Sequence, residues 1–145
     1  MSNFIAVVKY DKMQENGAVK RVSEQYLCDA LTCTEAEAIV TENLKPYISG
    51  DFFTTSVKAS KIAEVMGDKE CGRFWLCKVA FITIDERSGT EKRTISQILV
   101  GAPDFTNAIG NFNEGMKGTM ADFELVSVAE TPIKEFYPAK LNPDE

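Results

Sequence analysis

The segment Gly17-Ala18-Val19-Lys20-Arg21 returns seventy-two residues later as Gly89-Thr90-Glu91-Lys92-Arg93. At that offset Gly17, Lys20, Arg21, Gln25, Leu27, Ala30, Thr34 and Ala36 meet identical residue types at Gly89, Lys92, Arg93, Gln97, Leu99, Ala102, Thr106 and Ala108. After one residue is dropped, Asp51, Phe52, Ser56, Val57, Ile62 and Glu64 fall on Asp122, Phe123, Ser127, Val128, Ile133 and Glu135. A match of this span describes a duplicated unit and a pseudo-symmetric body in which any site is present twice or shared. It names no chemistry.

The two copies are expected to fold together. A chain of 145 residues, 44% hydrophobic, can bury a core, whereas each half alone would bury proportionately less surface. The formal charge of −6 argues against a broadly basic groove for nucleic acid, whose phosphates are bound through Lys and Arg. Cys28, Cys33, Cys71 and Cys77 show no CxxC spacing, and the apolar stretch from Phe4 to Val8 is too short for a signal peptide. Free thiols in a cytoplasm are therefore expected. No segment approaches the roughly eighteen apolar residues of a membrane span.

Each copy reads strand, strand, helix, strand. The first strand covers Asn3 to Lys12, a turn follows at Gln14-Glu15-Asn16-Gly17, and the chain returns from Val19 to Ala30. Alternation places Val22, Tyr26 and Cys28 on one face of the return strand, and Arg21, Ser23, Gln25 and Leu27 on the other. Thr32 and Glu35 form a capping-box signature, and Ala36, Ile39, Val40 and Leu44 supply the buried stripe of the helix that follows. Asp51 to Met66 reads as one long third strand. In the second copy the strands are Arg73 to Asp85 and Glu91 to Gly101. Asp104 caps a helix carrying Phe105, Ala108, Ile109, Phe112 and Met116, and Asp122 to Ala129 is the last regular strand. The fold expected is α+β: two tandem pseudo-symmetric ββαβ repeats, residues 1–66 and 71–138, forming one domain. Its sheet is mainly antiparallel with one helix per repeat, residues 67–70 are a linker, and residues 139–145 are a frayed tail. Arg73 to Asp85 is apolar on both faces, which also suits a homodimer.

Histidine is absent, which removes the commonest general base, the usual triads and most zinc sites, and weighs against an enzyme. No base or cation in the sequence marks any cysteine as a nucleophile. Gly110 to Thr119 superficially resembles a phosphate-binding loop, but Met116 separates Gly115 from Lys117 and the run ends a helix instead of opening one. Asp85-Glu86 borders a hairpin turn and is read as solvated. Neither a catalytic residue, a metal site nor a cofactor is assigned. The constellation that carries a binding hypothesis is the duplicated stripe of Arg21 and Gln25, and of Arg93 and Gln97, each pair four apart on one strand face. Guanidinium groups bind phosphate bidentately, and amides read polar edges. Phe52, Phe53, Phe74, Trp75 and Phe81 are read first as core, and otherwise as platforms for stacked bases.

The runs Tyr26-Leu27-Cys28-Asp29-Ala30, Thr34-Glu35-Ala36-Glu37-Ala38, Pro46-Tyr47-Ile48-Ser49-Gly50, Phe81-Ile82-Thr83-Ile84-Asp85-Glu86 and Glu130-Thr131-Pro132-Ile133 carry a family resemblance. The chain resembles domain of unknown function 4494, found in Bacteroidetes and their phages. The resemblance implies a phage or mobile-element protein in a bacterial cytoplasm and transfers no catalytic residue. The function expected is a non-catalytic accessory protein that binds a phosphate-bearing ligand, by nucleotide sequestration against a host defence or by holding single-stranded DNA. The alternative is a protein–protein inhibitor or adaptor acting on a host enzyme.

Overall fold

The computed structural model describes residues 2–48 and 50–138; the expected tail at 139–145 lies outside them. The structure is α+β, with two helices and eight strands among the described residues, arranged in two four-stranded sheets. The chain divides into two compact units: one holds the residues up to Ser60 together with those from Ile133 onward, and the other is Lys61–Pro132.

In the first unit β1 (Ser2–Met13) and β2 (Val19–Ala30) form a hairpin through Gly17, whose φ of 85° is the left-handed conformation the tight turn needs. The next element is α1 (Cys33–Leu44), with Thr32 as its N-cap: the Thr32 hydroxyl accepts the Glu35 N–H at 3.1 Å. The Glu35 carboxylate reaches back one residue further than a capping box does and accepts from the Leu31 N–H at 3.1 Å. Strand β3 (Phe52–Ala59) then pairs antiparallel with the other side of β1. Ala36, Ile39, Val40 and Leu44 pack against Phe4, Ala6, Val8, Tyr26 and Cys28, so the helix covers the face that alternation assigns to Tyr26 and Cys28. Leu27, on the opposite and nominally mixed face, is also fully buried.

The single long strand expected from Asp51 to Met66 is instead two. It ends at Ala59, and β4 (Ile62–Gly67) begins after Ser60-Lys61 and belongs to the second unit. There β5 (Phe74–Ile84) and β6 (Glu91–Gly101) form the central hairpin, and β4 lies parallel to β6. Helix α2 (Phe105–Gly115) is capped by Asp104, which accepts the Asn107 N–H at 2.8 Å, and β7 (Asp122–Glu130) pairs with β5. Ala108, Phe112 and Met116 are buried as expected, while Phe105 is 49% exposed and meets Trp75 edge-on. Gly101 permits the β4 junction: a Cβ there would lie 1.9 Å from the Asp68 carbonyl oxygen.

The stretch after Pro132, beyond the last regular strand expected, is itself a strand, β8 (Ile133–Tyr137), lying parallel to β2 in the first unit. The strand orders are β3-β1-β2-β8 and β4-β6-β5-β7, so both sheets are mixed. Each half of the sequence runs strand, strand, helix, strand, strand, and gives its last strand to the sheet of the other half. The exchanged strands also complete the cores: Tyr137 of β8 packs into the first, Met66 of β4 into the second. Cleavage of the native chain at Asp68–Glu70 is therefore expected to leave the two fragments associated one to one through β2–β8 and β4–β6. Size-exclusion chromatography of the nicked protein checks this; elution as two separate fragments contradicts it.

Candidate functional site

The duplicated polar stripe occupies matching places in the two units. Gln25 stands opposite Ile133 of β8, and Gln97 opposite Ile62 of β4; both amides are half-buried. Arg21 and Arg93 lie four residues earlier on the same strand faces, which point away from α1 and α2, about 13 Å along the strand. The structure brings each guanidinium to a carboxylate. Arg21 Nε is 3.2 Å from Oδ1 of Asp11, its direct cross-strand neighbour, with the side chains 66% and 55% exposed. An Arg93 terminal nitrogen is 2.9 Å from Oε2 of Glu124 on β7. Ion pairs this exposed contribute at most about 1 kcal/mol, but they hold the guanidinium groups against protein carboxylates. Arg21 and Gln25 form one set in the first unit, Arg93 and Gln97 another in the second.

The aromatic residues divide sharply. Phe74 and Trp75 are buried, and the Trp75 indole donates to the Ala102 carbonyl at 3.0 Å. Phe81 and Phe52 are half-buried against their cores, and Phe53 alone of the five is exposed, at 58%. The run Gly110 to Thr119 ends α2, and the Asp85 carboxylate accepts the Arg87 N–H at 2.9 Å inside the hairpin turn, both as sequence indicates.

Two features escaped the sequence reading. The first is a cluster on the helix side of the first sheet, where the Glu24 carboxylate accepts from Tyr10 at 2.5 Å and from Tyr26 at 3.2 Å. The Tyr26 ring stacks on Tyr137 at 5.7 Å. Burial raises all three phenols, reinforced by Glu24 for Tyr10 and Tyr26 and by Glu135 for Tyr137; Tyr10 is pushed up to about 12. Period-two spacing of Glu24 and Tyr26 was the available signal, but Tyr10 and Tyr137 arrive from other strands. Beside Tyr137 lies a cavity of about 480 Å³, lined also by Ile39, Asn43 and Tyr47.

The second feature is the free edge of the first sheet. Strand β3 is an edge strand, and between it and α1 runs an open groove of about 610 Å³ lined by Thr41, Lys45, Ile48, Phe52 and Thr54. Its counterpart β7 carries Asp122, Glu124 and Glu130, charges that discourage strand addition, whereas β3 carries only Lys58.

The two buried cysteines are not activated nucleophiles. Desolvation pushes the buried thiols up, Cys28 to about 12 and Cys77 to about 11. No group of three or more His, Cys, Asp or Glu side chains with metal-binding geometry occurs among the described residues. Cys33 is exposed and Cys71 half-buried, so both should react with a thiol reagent at neutral pH while Cys28 and Cys77 stay silent until unfolding. The folded protein keeps the Cys28 and Cys77 protons that the unfolded chain releases near 9.0, so stability should fall as pH rises from 9 through the folded values of about 11 to 12. Reagent titration and melting curves against pH check both; equal reactivity of all four thiols contradicts the burial.

No helix among the described residues is long and apolar enough to cross a membrane. No curated protein and no solved structure matches the chain. A family model described as a domain of unknown function, DUF4494, matches residues 2–139. With nearly the whole chain covered, this two-unit α+β protein belongs to the DUF4494 family.

Proposed function

We propose that this protein is a non-catalytic binding module that docks an extended segment of another polypeptide along β3, with side chains of that segment entering the groove beside α1. The observation that carries the reading is the open β3 edge: eight residues with a single charge, an exposed Phe53 and a groove of about 610 Å³ alongside. Strand addition supplies main-chain hydrogen bonds, and a flanking groove supplies selectivity for alternate side chains. The absence of histidine and the raised, buried thiols favour binding over catalysis. Four unpaired cysteines suit a reducing cytoplasm, and a host enzyme is the partner class that fits an accessory role there.

Within this reading the two halves are products of tandem duplication. The bulges between Val7 and Val8 and between Lys78 and Val79 fall at matching places, as do the caps Thr32 and Asp104 and the positive-φ turn residues Gly17 and Gly89. Duplication left one edge charged and the other open.

A phosphate-bearing ligand, either a nucleotide or single-stranded DNA, is the second reading, and the matched exposure of Arg21 and Arg93 favours it. Such a ligand has to displace Asp11 or Glu124. Calorimetry with ATP and with oligo-deoxythymidine separates the readings: docking predicts no saturable heat, whereas binding abolished by R21A/R93A installs the phosphate ligand. For docking itself, a photo-crosslinking phenylalanine analogue at position 53 should capture a discrete protein in source cells. The same probe at Val126 of β7, 52% exposed, should not. Equal capture from both positions overturns the reading.

A further inference from the structure

We infer that the polypeptide which β3 accepts in the purified protein is β3 of a second copy, so that two chains pair edge to edge in a closed, two-fold dimer. The inference rests on the β3 contact surface proposed above and names what covers it when no host partner is present.

An antiparallel two-fold junction pairs a strand with itself, and the faces of β3 limit the registers available. Phe52 and Val57 lie opposite Tyr10 and Ala6 on the helix side, whereas Phe53 and Ser56 lie opposite Lys9 and Val7 on the other side. A junction centred between Thr54 and Thr55 places Phe52 against Val57 of the second copy and Phe53 against its Ser56, so side chains of one face meet side chains of the same face. The irregularity that leaves Thr55 outside the β1 pairing then falls beside the two-fold axis, between a paired run of three residues and one of four.

The same register sets Asp51 against Lys58 of the second copy, and by symmetry Lys58 against its Asp51. Both residues are exposed, and neither forms an ion pair among the described residues. Two unsatisfied, opposite charges at the two ends of one edge strand are complementary to a copy of that strand turned by two-fold symmetry. Opposite-charge cross-strand pairs favour a register, and like charges directly opposite disfavour it. Phe52 and Val57, each only partly covered by the first core, gain each other across the junction.

The second sheet explains why growth stops at two chains. Its edge strand β7 has three carboxylates and no cation, so self-pairing there opposes charges of one sign. The remaining edges, β4 and β8, are six and five residues long. One competent edge per chain makes an isologous contact that closes.

The test is the oligomeric state of the purified full chain, by sedimentation velocity over roughly a hundredfold concentration range. Wild type should shift from one chain to two and go no further. K58D, which sets Asp51 against an aspartate at both ends, should weaken association about tenfold or more. The charge swap D51K/K58D should restore it, which mere misfolding cannot do. A wild type that stays monomeric, a dimer indifferent to K58D, or a swap without rescue each overturns the inference. A monomer whose position 53 still captures a foreign chain overturns self-pairing alone and leaves the docking reading in place.

Discussion

The parallel addition of β8 to β2 and of β4 to β6 is the contact on which the rest of the structure depends. Each sheet would otherwise stop at three strands with the long return strand of its hairpin unpaired on one side. The added strand satisfies that edge and brings in one large side chain, Tyr137 or Met66, that the helix-side core requires. Connections of two residues, Ser60-Lys61 and Thr131-Pro132, are enough to carry the chain from one unit into the other. Both are anchored just before the crossing: the Ser60 N–H donates to the Asn3 carbonyl at 2.8 Å, and the Thr131 N–H to the Phe74 carbonyl at 2.9 Å.

Once the return strands are covered, β3 and β7 are the two long outer edges, and they differ in chemistry. On β7 the carboxylates are partly employed: Glu124 pairs with Arg93 and Glu130 with Arg73, whose guanidinium also sits 5.2 Å from the Trp75 ring. On β3 the flanking charges are unemployed and the groove beside α1 is open. One long edge is thus lined with carboxylates and the other carries a single lysine.

Much of the local structure was legible in sequence because it is governed by short-range rules. The turns at Gly17 and Gly89, the caps at Thr32 and Asp104, and the helix-facing alternation of Tyr26, Cys28, Cys77 and Val79 depend on residues within a few positions of each other. The misreadings all concern partners distant in sequence. Asp51 to Met66 reads as a single strand because nothing at Ala59-Ser60-Lys61 breaks β-propensity, and β8 was passed over because Glu130-Thr131-Pro132 looks like a terminus. Leu27 and Leu99 are fully buried on a face that their neighbours Arg21, Gln25, Arg93 and Gln97 make look polar. The candidate site was less legible still, since no local pattern shows that Asp11 and Glu124 would meet the two arginines.

The sequence by itself determined the α+β class, the two long hairpins, the two capped helices and the family, since hydrophobic period, capping chemistry and turn glycines act locally. Only the tertiary structure decided that each half completes the other's sheet, and that β3 is an edge strand. Strand order and edge exposure are set by main-chain pairing between segments far apart in the chain, and backbone hydrogen bonds are the same for every residue type. A sequence pattern therefore shows where a strand forms but not which strand lies beside it.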